Sequence, residues 1–230
     1  MFYPFFDPTM ILLIPAIVLS LWAQFKVKGA FARYSEIRAV SGLSAEEVSR
    51  RLLDRNGLSG VRIERVPGEL SDHYDPGAKV LRLSDSVNAS RSIAAIGVAA
   101  HEVGHAVQDK ENYGFLRFRN SIVPVVNLCS MASMPLFFIG LIIGSLNLLN
   151  LGIVLFCGVL VFHLVTLPVE FDASARALRM LRETNILSQK EIGGAKAVLD
   201  AAALTYVAAL VMTVLQLVRL IALSGLRRDE

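Results

Sequence analysis

Apolar residues along this chain follow two rhythms. Long uncharged runs occupy residues 9–25, 122–149 and 151–169, and a fourth, 201–223, contains only Arg219 as a charge. A helix needs about 20 largely apolar residues to cross the hydrocarbon core of a bilayer, with about 17 as the lower end, so four membrane helices are expected. Between the runs the pattern shortens. Residues 30–40 read as a short separate helix, and residues 45–56 as another, with Ser44 as its cap, Glu46 and Glu47 in its first turn and Gly57 closing it. Residues 61–66 and 79–83 alternate apolar with charged and read as half-buried strands around the turn-rich segment 72–77, so a sheet of two or three strands, or a hairpin covering a helix, is expected. In the helical region 90–109, residues 92–100 are small and apolar, and such a helix must be buried. Pro168 marks the end of the third span, with a new helical segment over 169–182 and a further one over 188–200 that continues into the fourth span.

The first run is short and N-terminal, so a signal peptide competes with an anchor. No Lys or Arg precedes it, Pro4, Asp7 and Pro8 stand where a basic region belongs, and Gln24-Phe25-Lys26 is a poor cleavage site, so a retained anchor is the better reading. Charge then sets the orientation. Most of the 23 basic residues fall in segments 25–120 and 170–202, and none in the short hairpin between the second and third spans. Basic residues at span ends stay in the cytoplasm, so Lys26, Lys28, Arg33, Arg117, Arg119, Arg176 and Arg179 place both polar segments inside. Arg227 and Arg228 run against that rule but are followed by Asp229 and Glu230. The expected organisation is an anchor (1–25), a cytoplasmic domain (26–120), a membrane hairpin (121–169), cytoplasmic helices (170–202) and a last span (203–230) of a multi-pass plasma-membrane protein. The net charge of +3 says less about partners than its distribution does, and no nucleic-acid partner is expected. Cys129 and Cys157 both fall in expected spans, where packing rather than a disulfide or thiolate ligand set is their role. Nothing in the chain fixes an oligomeric state.

The chemistry is carried by His101-Glu102-Val103-Gly104-His105 within the buried helix. Residues four apart lie about 40° apart around a helix, so His101 and His105 can share one metal ion, while Glu102 can reach a water beside it. Zinc in a catalytic site takes three protein ligands and leaves one position open. Glu170 is favoured for the third: two spans separate it from the histidines, which returns the chain to the same side of the membrane. Asp172 and His73 remain open alternatives; His163 lies too far inside the third span. A ligating imidazole should donate its second nitrogen to a carboxylate or carbonyl, and Asp172 is the expected partner. Tyr74, His73 and Arg176 are candidate substrate contacts or oxyanion donors.

Three segments in order, Asp72-His73-Tyr74-Asp75-Pro76, Ala99-Ala100-His101-Glu102-Val103-Gly104-His105-Ala106-Val107-Gln108 and Leu167-Pro168-Val169-Glu170-Phe171-Asp172-Ala173-Ser174, resemble the YugP-type neutral zinc metallopeptidases of bacterial membranes. The likeness extends over nearly the whole chain. More distantly, the chain is similar to the HtpX and prenyl-protein membrane peptidases, in which spans also separate the zinc motif from a Glu ligand. The resemblance implies a Zn2+-dependent endopeptidase with a small α+β zincin-like, gluzincin-type cytoplasmic domain on four membrane helices, acting on peptides or membrane proteins. It maps Glu170 onto the ligand position, and Ser174 stands where the distant families have Asp. Two rivals remain. A site-2-type intramembrane protease would carry a second Asp-containing motif in a later span, yet no Asp occurs between Lys110 and Phe171. An inactive membrane scaffold that binds partner proteins would have no use for Glu102.

Overall fold

The computed structural model describes residues 8–226. Pro4 and Asp7 at one end, and Arg227, Arg228, Asp229 and Glu230 at the other, lie outside the described residues. A 3-10 turn (Pro8–Leu13) leads into α1 (Ile14–Ser35), followed by α2 (Ala45–Arg55), β1 (Arg62–Val66), β2 (His73–Asp75), β3 (Val80–Ser84), α3 (Ile93–Lys110), α4 (Gly114–Ile143), α5 (Leu146–Glu183) and α6 (Gln189–Leu226). The fold is mainly helical with one small mixed sheet. Among the described residues, four helical stretches are long and apolar enough to cross a membrane: Pro8–Ser35, α4, α5 and Gln189–Gly225.

The chain divides into two compact units. One takes the chain up to Ala23, Phe118–Leu167 and the chain from Thr205 onward. Its core holds Phe137, Leu141, Leu149, Phe156, Leu220 and Leu223. Here α4 and α5 touch through glycine: a Cβ on Gly152 would stand 2.9 Å from the Phe137 nitrogen and 2.9 Å from the Ser133 carbonyl. Helices in lipid gain little from hiding apolar surface, so close backbone approach at small residues is what holds them. Thr166 and Thr213 donate their hydroxyls to carbonyls one turn back, and the buried Arg219 donates to Thr9 Oγ1 at 3.2 Å.

The other unit, Gln24–Arg117 and Pro168–Leu204, is built around α3. Ser92 caps α3 by accepting from the Ala95 amide, and nearly every residue from Ile93 to Gln108 is buried, as an apolar circumference requires. The amphipathic α2 packs against it; Ser44 and Glu47 cap each other's amides, and Gly57 follows the helix at φ +66°. The sheet has the order β1-β3-β2, with β1 parallel and β2 antiparallel to β3. Buried Leu81, Leu83, Leu52, Leu53, Ile96 and Leu181 join in one core.

Four expectations need correction. The separate helix over 30–40 does not form, because no residue between Phe25 and Ser35 breaks the helix and α1 runs on to Ser35. Pro168 does not end a helix either. A proline forfeits one main-chain hydrogen bond, and the rest of the ladder carries α5 through it over 38 residues. The two alternating segments are not partners in a hairpin: they are parallel neighbours, because the 13 residues between Val66 and Val80 are long enough for a crossover. Within that connection, what read only as a turn contains β2. Asp75 Oδ1 accepts from the Gly77 and Ala78 amides at 3.0 Å each, and this tight turn folds β2 back onto β3.

Candidate metal centre

The histidines come from the middle of α3 and the carboxylate from α5, and one glycine sets how closely these helices meet. A Cβ on Gly104 would lie 2.5 Å from the Ala173 carbonyl oxygen, closer than real contacts allow. Gly104 sits between His101 and His105, and Ala173 is three residues past Glu170. The buried face of α5 here, Val169, Glu170, Ala173 and Ala177, repeats at helical spacing. Sequence thus places three side chains at one crossing.

The His101 and His105 rings stand edge to face with centroids 4.7 Å apart. Glu170 Oε2 lies 3.3 Å from His101 Nε2 and 3.6 Å from His105 Nε2, and the three donor atoms fall within 4.8 Å of one another. Two donors bound tetrahedrally to zinc at about 2.0–2.1 Å would be about 3.3 Å apart, so these spacings match a shared ion. The three side chains are 14%, 11% and 5% exposed, so packing holds the donors in place.

The second ring nitrogens decide which atoms are free to bind. His105 Nδ1 donates to Gln108 Oε1 at 2.9 Å, and His101 Nδ1 lies 3.1 Å from Ser174 Oγ. With Nδ1 protonated on both rings, the lone pair sits on Nε2, on the side of Glu170. This chemistry fits a divalent metal of the zinc type: two neutral imidazoles and one carboxylate, with room in the set for water.

Asp172, expected at an imidazole, is one step removed. Its Oδ2 accepts from Gln108 Nε2 at 2.8 Å and from Arg176 Nε at 2.5 Å. A residue two along a helix from Glu170 points about 200° away from it, too far round to reach the same ring. Ser174, one turn after Glu170, faces α3 and meets His101 instead.

Glu102 is buried beside the imidazoles, and its Oε2 accepts from the Tyr74 amide of β2 at 3.0 Å. Burial pushes its carboxyl above the usual carboxylate range, against the pull of His105 and His101. Burial would lower His105, but the carboxylates of Glu170 and Glu102 hold it above its ordinary value. The Tyr74 hydroxyl donates to Asp109 Oδ2 at 2.8 Å, and burial together with that carboxylate raises it well above a free phenol. His73 alternates to the opposite face of β2. It is exposed, with Nδ1 2.9 Å from the Ser71 carbonyl and Nε2 3.3 Å from Arg82 Nη1, away from the two histidines. Arg176 is engaged by Asp172 and by Glu111 at 2.5 Å, and lies over the Tyr113 ring at 5.8 Å. His163 lies about two turns before Glu170 on α5.

Gln108 was not singled out from the sequence as a working residue. Its signal is its spacing: a polar side chain three residues after His105, on the helix face shared with both histidines, must find partners when buried.

A family model described as "Putative neutral zinc metallopeptidase" matches residues 9–225. A protein of Bacillus subtilis (strain 168) described as "Putative membrane protease YugP" is 50% identical over 219 residues, covering 95% of this chain and 97% of the relative. No solved structure matches.

Proposed function

The chain belongs to the neutral zinc metallopeptidase family, and on that premise we infer that it is a membrane-embedded, zinc-dependent endopeptidase that cleaves peptides or membrane proteins at the cytoplasmic face. The observation that carries this reading is the convergence of His101 Nε2, His105 Nε2 and Glu170 Oε2 with the carboxylate of Glu102 alongside. In it, segments 26–120 and 170–202 form a zincin-like cytoplasmic domain, and 1–25, 121–169 and 203–230 hold it in the membrane. The excess of Lys and Arg in the two polar segments supports that orientation.

His101, His105 and Glu170 would hold zinc. The chemistry such an ion supplies when bound is Lewis acidity, which polarises the scissile carbonyl and brings the pKa of water to about 7. Glu102 accepts the proton of the attacking water and returns it to the departing amine nitrogen, so that the C–N bond breaks without a strongly basic leaving group. Its buried surroundings and the Tyr74 amide hold the carboxylate in one orientation. Strand β2 is the edge of the sheet next to α3, and an extended substrate backbone pairs along such an edge with little regard for sequence.

The test is Glu102→Gln. The amide is nearly isosteric but cannot accept the proton, and general-base catalysis is worth about 10²–10⁴-fold. Full-length protein purified in detergent should keep its zinc and lose cleavage of an unfolded membrane-protein substrate by that factor. Normal cleavage by the variant overturns the assignment.

A further inference from the structure

Gln108 is fully buried, and its three hydrogen bonds go to one candidate ligand, His105, and to two residues flanking another, Glu170. Oε1 takes the Nδ1 proton of His105 at 2.9 Å, while Nε2 donates to the Val169 carbonyl and to Asp172 Oδ2, each at 2.8 Å. Val169 is the residue before Glu170. One amide therefore fixes the ring of a histidine on α3 and, through its two N–H groups, the turn of α5 that carries the third donor. Asp172 holds the amide's orientation: a carboxylate cannot donate, so Nε2 must face it and Oε1 must face His105. Arg176, bonded to Asp172 and to Glu111 on the α3 side, keeps that carboxylate in place.

We propose that Gln108 is a positioning residue for the metal centre, with Asp172 as its orienting partner, so that the pair sets the His105 ring and its spacing from Glu170. This rests on the reading that His101, His105 and Glu170 bind zinc. Asp172 then acts on His105 through the amide rather than by touching it. Ser174 serves His101 separately.

The experiment is zinc affinity of the full-length protein in detergent, measured by competition with a chromophoric chelator. Gln108→Leu removes the acceptor for His105 and both donors to α5, and affinity should fall about 10- to 100-fold, the usual effect of removing an outer partner of a ligating histidine. Gln108→Glu keeps the acceptor but sets a carboxylate against both the Val169 carbonyl and Asp172, and should fall about tenfold. Asp172→Asn keeps an oxygen that accepts from Gln108 Nε2 and Arg176 Nε and should hold affinity to within a few-fold of wild type, whereas Asp172→Leu removes that acceptor and should lower affinity about tenfold although residue 172 touches neither histidine. A side chain that merely fills space would not distinguish Asn from Leu at this partly exposed position. Gln108→Leu binding like wild type, or Asp172→Leu binding like Asp172→Asn, overturns the proposal while the zinc reading stands. Should Gln108→Leu fail to fold, the two variants at 172 decide alone. A wild type that binds no zinc sinks both.

Discussion

Two helix contacts in this protein use the same device for opposite ends. In the apolar unit, α4 and α5 meet where a Cβ on Gly152 would strike Phe137 and Ser133; in the other, α3 and α5 meet where a Cβ on Gly104 would strike Ala173. Around Gly152 the contacts are the fully buried Phe137 and the main-chain carbonyl of Ser133, and the close approach serves packing. Around Gly104 the approach brings two imidazoles to a carboxylate, and the polar atoms behind them are tied to Gln108, Ser174, Asp172 and Val169. Distance between backbones is thus a packing variable in one place and a chemical one in the other. A buried polar cluster needs every partner in register, so it should respond to displacement far more sharply than an apolar seam does.

Equal steric insults to the two contacts break that comparison most severely. Gly104→Val should force α3 and α5 apart and cost at least about 100-fold in zinc affinity, because the Glu170 carboxylate moves with its helix. Gly152→Val should destabilise the protein by about 1–3 kcal/mol, the usual range for overpacking, and leave zinc per folded chain unchanged. Metal titration beside a thermal melt separates the two; equal zinc loss in both variants would dissolve the distinction.

Metal removal is the next largest effect. A chelator should lower the melting temperature of wild type, since zinc at 100 times its Kd stabilises the folded state by about 2.7 kcal/mol. The same chelator should leave the melt of Glu170→Ala where it was. Ser174→Ala sharpens the comparison further. It removes one neutral hydrogen bond to His101, worth about 0.5–1.5 kcal/mol, so zinc affinity should fall by about two- to tenfold, less than for Gln108→Leu in the same titration. The smallest effect lies outside both contacts: Ser44→Ala removes the cap of α2 and should cost about 1 kcal/mol in chemical denaturation with zinc affinity unchanged.

What the sequence revealed follows the range of the interactions concerned. The apolar runs are local and long, and all four coincide with helices able to span a membrane. The caps of α2 and α3 depend on residues three apart, Ser44 with Glu47 and Ser92 with Ala95, and the first could be read directly. Pairing of β1 with β3 was not legible, since an alternating pattern shows which face is buried but not the neighbour or its direction. Pro168 misled because a single lost hydrogen bond is weighed against a whole helix, and only packing shows which prevails. At the candidate metal centre, the topology of the spans points to Glu170 beside the histidines, and the structure brings its carboxylate to them. The outer partners were harder. Charge points to Asp172, but a hydroxyl and an amide do the touching, because helical phase turns Ser174 of α5 toward α3 and puts Gln108 on the same face of α3 as His105.

The central claim is that the α3–α5 crossing is a zinc site. Its most direct test is the zinc content, by mass spectrometry, of full-length protein purified in detergent, for wild type and for Glu170→Ala. The account predicts about one zinc per wild-type chain and little or none in the variant, with helical content unchanged by circular dichroism. A zinc-free wild type, or a variant that holds zinc as tightly as wild type, would contradict it.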